Sequence, residues 1–144
     1  MASELRAKAA AIRAHFATEW KAARGYTDEQ LGERVAWEGV DFTPPASEWV
    51  RLSILWGDAF EQTMGGPAVG KNEVVGVVSV TLFYPPGRGT GVLEGLADDV
   101  RDIFNRAEVS GVRFGAPSGP KPARERDGWV QTTVDVPFTV EETI

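Results

Sequence analysis

Cysteine is absent from the 144-residue chain, and histidine occurs once, at His15. The first absence excludes disulfide frameworks, thiolate metal sites and a cysteine nucleophile. The second means that a Ser-His-Asp triad would have to be built on His15 and that a zinc site would have one imidazole at most. Long apolar runs are also missing. Nothing approaches the roughly 18 to 20 residues of a membrane span, and the first residues lack the apolar core of a signal peptide. The expectation is a soluble protein with no membrane partner and no cleaved export signal. Positive charge is in deficit, with 15 Lys+Arg against 21 Asp+Glu and a formal charge of −6. That sign is wrong for a protein whose main task is gripping nucleic-acid phosphates, and no segment forms a basic arm.

What is present is the make-up of one globular domain over residues 1–144, 42% hydrophobic and 25% charged, able to bury roughly two-thirds of its unfolded surface. From about residue 3 to 23, Leu5, Ala9, Ile12, Phe16, Trp20 and Ala23 recur at spacings of three and four. This spacing predicts an amphipathic helix ending near Gly25. A polar connection comes next, then an extended edge segment from Val35 to Pro45, whose two prolines forbid a central strand. Val50, Leu52, Ile54 and Trp56 alternate with Trp49, Arg51, Ser53 and Leu55, predicting a strand that runs on towards Phe60 or Gln62. Glu73 to Tyr84 is the strongest β segment and the expected hairpin partner of that strand. Val92, Leu93, Leu96, Val100, Ile103 and Phe104 mark a second amphipathic helix. Val109 to Phe114 and Trp129 to Val140 then make a short and a long strand. Ala116 to Gly128 (APSGPKPARERDG) predicts a mobile loop projecting from a hairpin. The expected fold is α+β, a mostly antiparallel sheet of about four strands with two helices packed on it, against one face, in the order α-β-β-α-β-β.

Motifs that resemble chemistry dissolve on inspection. Gly65 to Lys71 (GGPAVGK) has P-loop spacing, but Asn72 stands where Ser or Thr would hold magnesium, Pro67 removes an N–H, and strand-forming valines come after it in place of a helix. Gly87 to Gly91 lies between a strand and a helix and, with Arg88, could hold an anion, although its spacing is not the dinucleotide fingerprint. Asp98, Asp99 and Asp102 have no second cluster to complete a coordination shell. No catalytic residue, metal site or cofactor is expected, and the chain is read as no enzyme. The aromatic residues carry more. Trp49 and Leu55 oppose Val50, Leu52 and Ile54, while Phe83, Val75 and Val77 oppose Val74, Val78, Val80 and Leu82. Both faces of the central hairpin are therefore partly apolar and need a covering layer from this chain or from another copy. One solution within the chain is a helix on each face.

The order of these parts, with FTPPASEWVRLSILWGDAFEQT, NEVVGVVSVTLFYPPGRGTG, LADDVRDIFNRAEVSGVRF and DGWVQTTVDVPFTVEE, resembles the small tail terminator proteins of long-tailed bacteriophages over residues 3 to 142. The resemblance implies a structural role. Six copies would form a ring on the head-proximal end of the tail tube, end tube polymerisation and form part of the head-tail junction. The implied partners are further copies of the chain, the major tail tube protein and a head connector or neck protein, with DNA passing the lumen without specific binding. The implied location is the virion, after synthesis in the host cytoplasm. Arg88, Lys121, Arg124, Arg126 and Trp49 are the candidate assembly contacts. The loop from Ser118 to Asp127 is expected to reach a neighbouring subunit or the tube, and its deletion to leave the fold intact. The alternatives are a head-closure or neck connector protein and an anion-binding domain using Gly87 to Thr90.

Overall fold

The structure, a computed structural model, describes residues 3–61 and 71–143, with side chains described over 5–57 and 73–141. It is α+β, with three helices and a mixed seven-stranded sheet in place of the expected two helices and about four antiparallel strands. Helix α1 (Ser3–Arg24) is the predicted amphipathic helix. Ala9, Ile12, Phe16 and Trp20 of its stripe are buried, whereas Ala23 is exposed. Gly25 stops it at φ +67, with the Tyr26 N–H donating to the Lys21 carbonyl at 3.0 Å and the Gly25 N–H to the Ala22 carbonyl at 3.3 Å. This is the paired-bond helix end that glycine permits.

The polar connection after Gly25 is a short helix, α2 (Asp28–Arg34). It has no buried residue and so no apolar stripe to reveal it. Its start is fixed by a reciprocal pair in which the Gln30 N–H donates to the Thr27 hydroxyl and the Thr27 N–H to the Gln30 side chain, a motif written in the sequence as Thr-x-x-Gln. It delivers the chain into β1 (Val35–Trp37), which runs parallel to β2 (Trp49–Glu61) and makes the sheet mixed.

The centre of the sheet is three long antiparallel strands, β2, β3 (Lys71–Tyr84) and β7 (Trp129–Thr143). Helix α3 (Gly91–Phe104) leads from β3 into the far half of the sheet. The segment read as one short strand at 109–114 is a tight hairpin of β4 (Glu108–Val109) and β5 (Val112–Phe114). Ser110 and Gly111 turn it at φ 49 and 83, the left-handed pair that suits a two-residue hairpin. The sheet order is β1-β2-β3-β7-β5-β4, with β6 (Arg124–Arg126) also paired to β7.

The stretch from 116 to 128 is not a projecting loop. It lies along the outer edge of β7. Ser118 bridges Asp135, the Lys121 N–H donates to the Thr133 carbonyl at 3.1 Å, and Arg124 to Arg126 pair with Gln131 to Trp129. Arg101 of α3 holds it from behind, donating to the Pro117 carbonyl at 2.9 Å and the Gly119 carbonyl at 2.7 Å. The edge of a long strand exposes backbone donors and acceptors, and this segment satisfies them despite its prolines. Pro137 fits the same logic. Its carbonyl accepts from the Gly115 N–H at 2.8 Å on the outer side, so the N–H that proline lacks would also have pointed outward, away from the ladder with β3.

Both α1 and α3 pack on one face of the sheet. Their buried residues share a single core with Val50, Leu52, Ile54, Val78, Val80, Leu82, Val134 and Val136. An aromatic run inside it joins the helices, with Phe16 stacked on Trp20 at 5.3 Å and on Phe104 at 5.9 Å between centroids. Each such side chain contributes about 1.5–3 kcal/mol by leaving water. Helices on opposite faces, the solution that would clad the sheet within one chain, are not what the chain adopts.

Candidate assembly surface

The face turned away from the helices is organised in rows set by the register of β2, β3 and β7. Trp49, Phe83 and Gln131 make one row, Arg51, Thr81 and Thr133 the next, Ser53, Ser79 and Asp135 the third, and Leu55, Val77 and Pro137 the fourth. The rows run from aromatic through polar to aliphatic. Leu55 is 57% exposed.

The aromatic end is the part of this face that the chain covers itself. Trp49, Phe83 and Ala36 form a second buried cluster, packed by Phe42 and Trp129, to which no helix contributes. The Trp49 and Phe83 rings stack at 3.8 Å and 2°, Phe42 lies at 5.0 Å from Trp49, and Trp129 meets Trp49 edge-on at 5.8 Å and 90°. Arg51 spans the stack, its guanidinium 5.6 Å from the Trp49 centroid and 5.4 Å from that of Phe83. Such a contact fixes an arginine that would otherwise sample many rotamers. Above this floor is a hollow of about 520 Å³, also bounded by Pro44, Arg126, Asp127 and Gln131.

The five residues singled out in the sequence fall in three places. Trp49 is 4% exposed and forms the floor of the hollow, and Arg126 stands on its rim. Lys121, Arg124 and Arg126 line a second hollow of about 200 Å³ on the outer side of β7, where Lys121 also pairs with Asp135 at 2.7 Å. Arg88 is exposed in the turn between β3 and α3 and lines neither hollow. Sequence reasoning missed Arg51, whose signal is its place two residues from Trp49 on an alternating strand, and Trp129, which lies diagonally across the hairpin tip.

The anion-binding alternative is poorly served by the same turn. Gly87 and Gly89 have φ of 83 and 75, but the Thr90 hydroxyl donates to the Glu94 carboxylate at 3.0 Å. The first turn of α3 thus carries its own negative group where a ligand anion would sit. The GGPAVGK motif lies outside the described residues except for Lys71, which begins β3. His15, caught between Phe104 and Phe114, donates from Nε2 to the Ile103 carbonyl at 3.0 Å and ties α1 to α3. Among the described residues no three His, Asp or Glu side chains converge as a metal site, and no helix is long and apolar enough to cross a membrane.

One ion network braces the helix layer. Glu48 accepts from Arg34 at 3.4 Å and from the Tyr26 hydroxyl at 3.4 Å, with Ser47 and Arg24 also against it. Arg24 reaches on to Asp99 of α3 at 3.1 Å. Burial works to raise the Glu48 pKa, but the Ser47 hydroxyl, its own backbone N–H and the two guanidinium groups outweigh it, and the carboxyl is held below its ordinary value.

A solved structure that carries no functional name superposes on the chain with a TM-score of 0.62 at 20% identity, covering 90% of this chain and 93% of that one. At that identity the likeness shows a shared fold. No curated protein matches the chain. The family model described as phage tail terminator protein matches residues 9–138, nearly the whole of the architecture above, and the chain accordingly belongs to the phage tail terminator family, the structural proteins of the phage virion's tail.

Proposed function

We propose that the whole chain, residues 1–144, acts as one subunit of a ring that caps the head-proximal end of the tail tube, ends tube polymerisation and contributes to the head-tail junction. The observation that carries this reading is the sheet face left without a helix layer, on which an aromatic floor, two arginines and an aliphatic row are presented together. Aromatic and arginine side chains around a hollow are the composition of association surfaces. A ring of six copies is the assembly that the family reading favours, with the tube protein on one side and a connector or neck protein on the other. Lys121, Arg124, Arg126 and Arg88 contribute exposed cations to those contacts, and Trp49 shapes the hollow from below. The excess of carboxylates suits a passage for DNA, since a basic lining would retain phosphates. The role is architectural and needs no catalytic group.

Electron microscopy of tails assembled with and without the protein tests this. Tubes of unregulated length and bare ends in its absence support the terminator reading. Tails of normal length that accumulate beside unattached heads would instead assign the protein to head closure or the neck.

A further inference from the structure

Two hollows on opposite sides of the molecule carry opposite charge. On the open sheet face, Arg51 and Arg126 border the aromatic hollow, with Asp127 as its one acid. On the outer side of the helix layer, α1 and α3 form a groove of about 380 Å³ lined by Glu19, Asp99 and Asp102 beside Ala22, Ala23 and Ile103. Arg24 takes Asp99, and Glu19 and Asp102 have no ion-pair partner among the described residues. Arg51 has none either and is held over two rings.

We propose that the open sheet face of one copy seats on the outer face of the α1–α3 layer of the next, with Arg51 and Arg126 against Glu19 and Asp102. This rests on the ring reading and gives the ring its contact. Charge selects the pairing. Two open faces brought together would oppose arginine to arginine, and two helix faces would oppose carboxylate to carboxylate, so only the crossed arrangement is complementary. Ala22 and Ala23 leave the helix face shallow enough for close approach. Because the two surfaces lie on opposite sides of one subunit, the contact is head-to-tail, the kind that repeats from copy to copy and makes a ring when the rotation between copies closes. The same contact shelters the aliphatic row of Leu55, Val77 and Pro137, which this chain leaves open.

Charge reversal on each face tests the pairing by sedimentation and by images of capped tubes. The variant R51E with R126E and the variant E19R with D102R should each stay folded, with melting temperatures within about 5 °C of wild type, and self-associate about 100-fold more weakly. Mixed one to one they should recover rings, since reversed and native contacts then alternate around an even-numbered ring. Reversed variants that associate as the wild type does, a mixture that fails to recover, or wild-type protein that caps tubes as a monomer would overturn this interface and leave the capping function standing. Tails of unchanged length without the protein would overturn the capping function and this inference with it.

Discussion

Gly76 and Phe138 face each other across β3 and β7, and the ring of Phe138 fills the space a side chain on Gly76 would need. A Cβ there would lie 2.5 Å from the Phe138 ring and 2.7 Å from the Leu55 carbonyl oxygen. Trp56 in turn meets Phe138 edge-on at 5.2 Å. The glycine interrupts a strand that otherwise has a valine-rich inward face, and it does so to admit an aromatic ring. Gly76→Ala should lower the unfolding free energy by about 1–3 kcal/mol, and Phe138→Ala, which leaves a cavity, by about 3–5 kcal/mol. Urea melts of the two variants would measure both.

Trp49 and Arg51 should separate stability from surface. Trp49→Ala removes the ring on which Phe42, Phe83 and Trp129 pack and should cost about 3–5 kcal/mol. Arg51→Ala loses a solvent-exposed contact over the rings, about 0.5–1 kcal/mol. A thermal melt that shifts for the first and barely moves for the second would place Trp49 in the architecture and leave Arg51 for recognition.

Acid should loosen the helix layer through Glu48. Its pKa is lowered in the folded chain from an ordinary 4.5, so its stabilising contribution is complete above that value and disappears as pH falls through the lower folded value. Glu48→Gln should therefore be less stable than wild type at neutral pH, with the gap closing under acid. Denaturation curves at a series of pH values would check the convergence.

Deletion of residues 118–127, expected from sequence to spare the fold, should instead destabilise it. The segment supplies the Ser118 bridge, the Lys121 backbone contact and the β6 pairing to β7, and it accepts a bond from Arg101 through Gly119. Arg124→Ala with Arg126→Ala keeps those backbone bonds and should leave melting unchanged, within about 0.5 kcal/mol. That pair, and not the deletion, is the variant in which a defect in tail assembly would report on contacts alone.

Much of the fold was legible because apolar periodicity was strong. The α1 stripe, the alternation of β2, β3 and β7 and the position of α3 all derive from it. What escaped were elements held by other means. Helix α2 rests on the Thr27–Gln30 capping pair, β1 is the expected edge segment but pairs in parallel, and the 116–126 segment is fastened by a reciprocal pair of backbone bonds at Ser118, one at Lys121 and the short β6 ladder. The excess apolar surface of the central hairpin was readable from Trp49, Leu55 and Phe83. The packing of both helices on one side was legible in the order of the elements, with a helix on each face as the alternative, and α1 and α3 do share one core on one face.

Along Val50 to Leu52 the outer border of β2 is occupied by β1, and just beyond it the Glu38 carboxylate accepts the Ile54 N–H at 2.8 Å. The border of β7 is occupied from Val112 to Arg126. Over these stretches the long strands β2 and β7 offer no bare main chain for a stranger's strand to extend, and the sheet's edge passes to the short β1 and β4. Whatever docks there has side-chain relief to read in place of a backbone ladder.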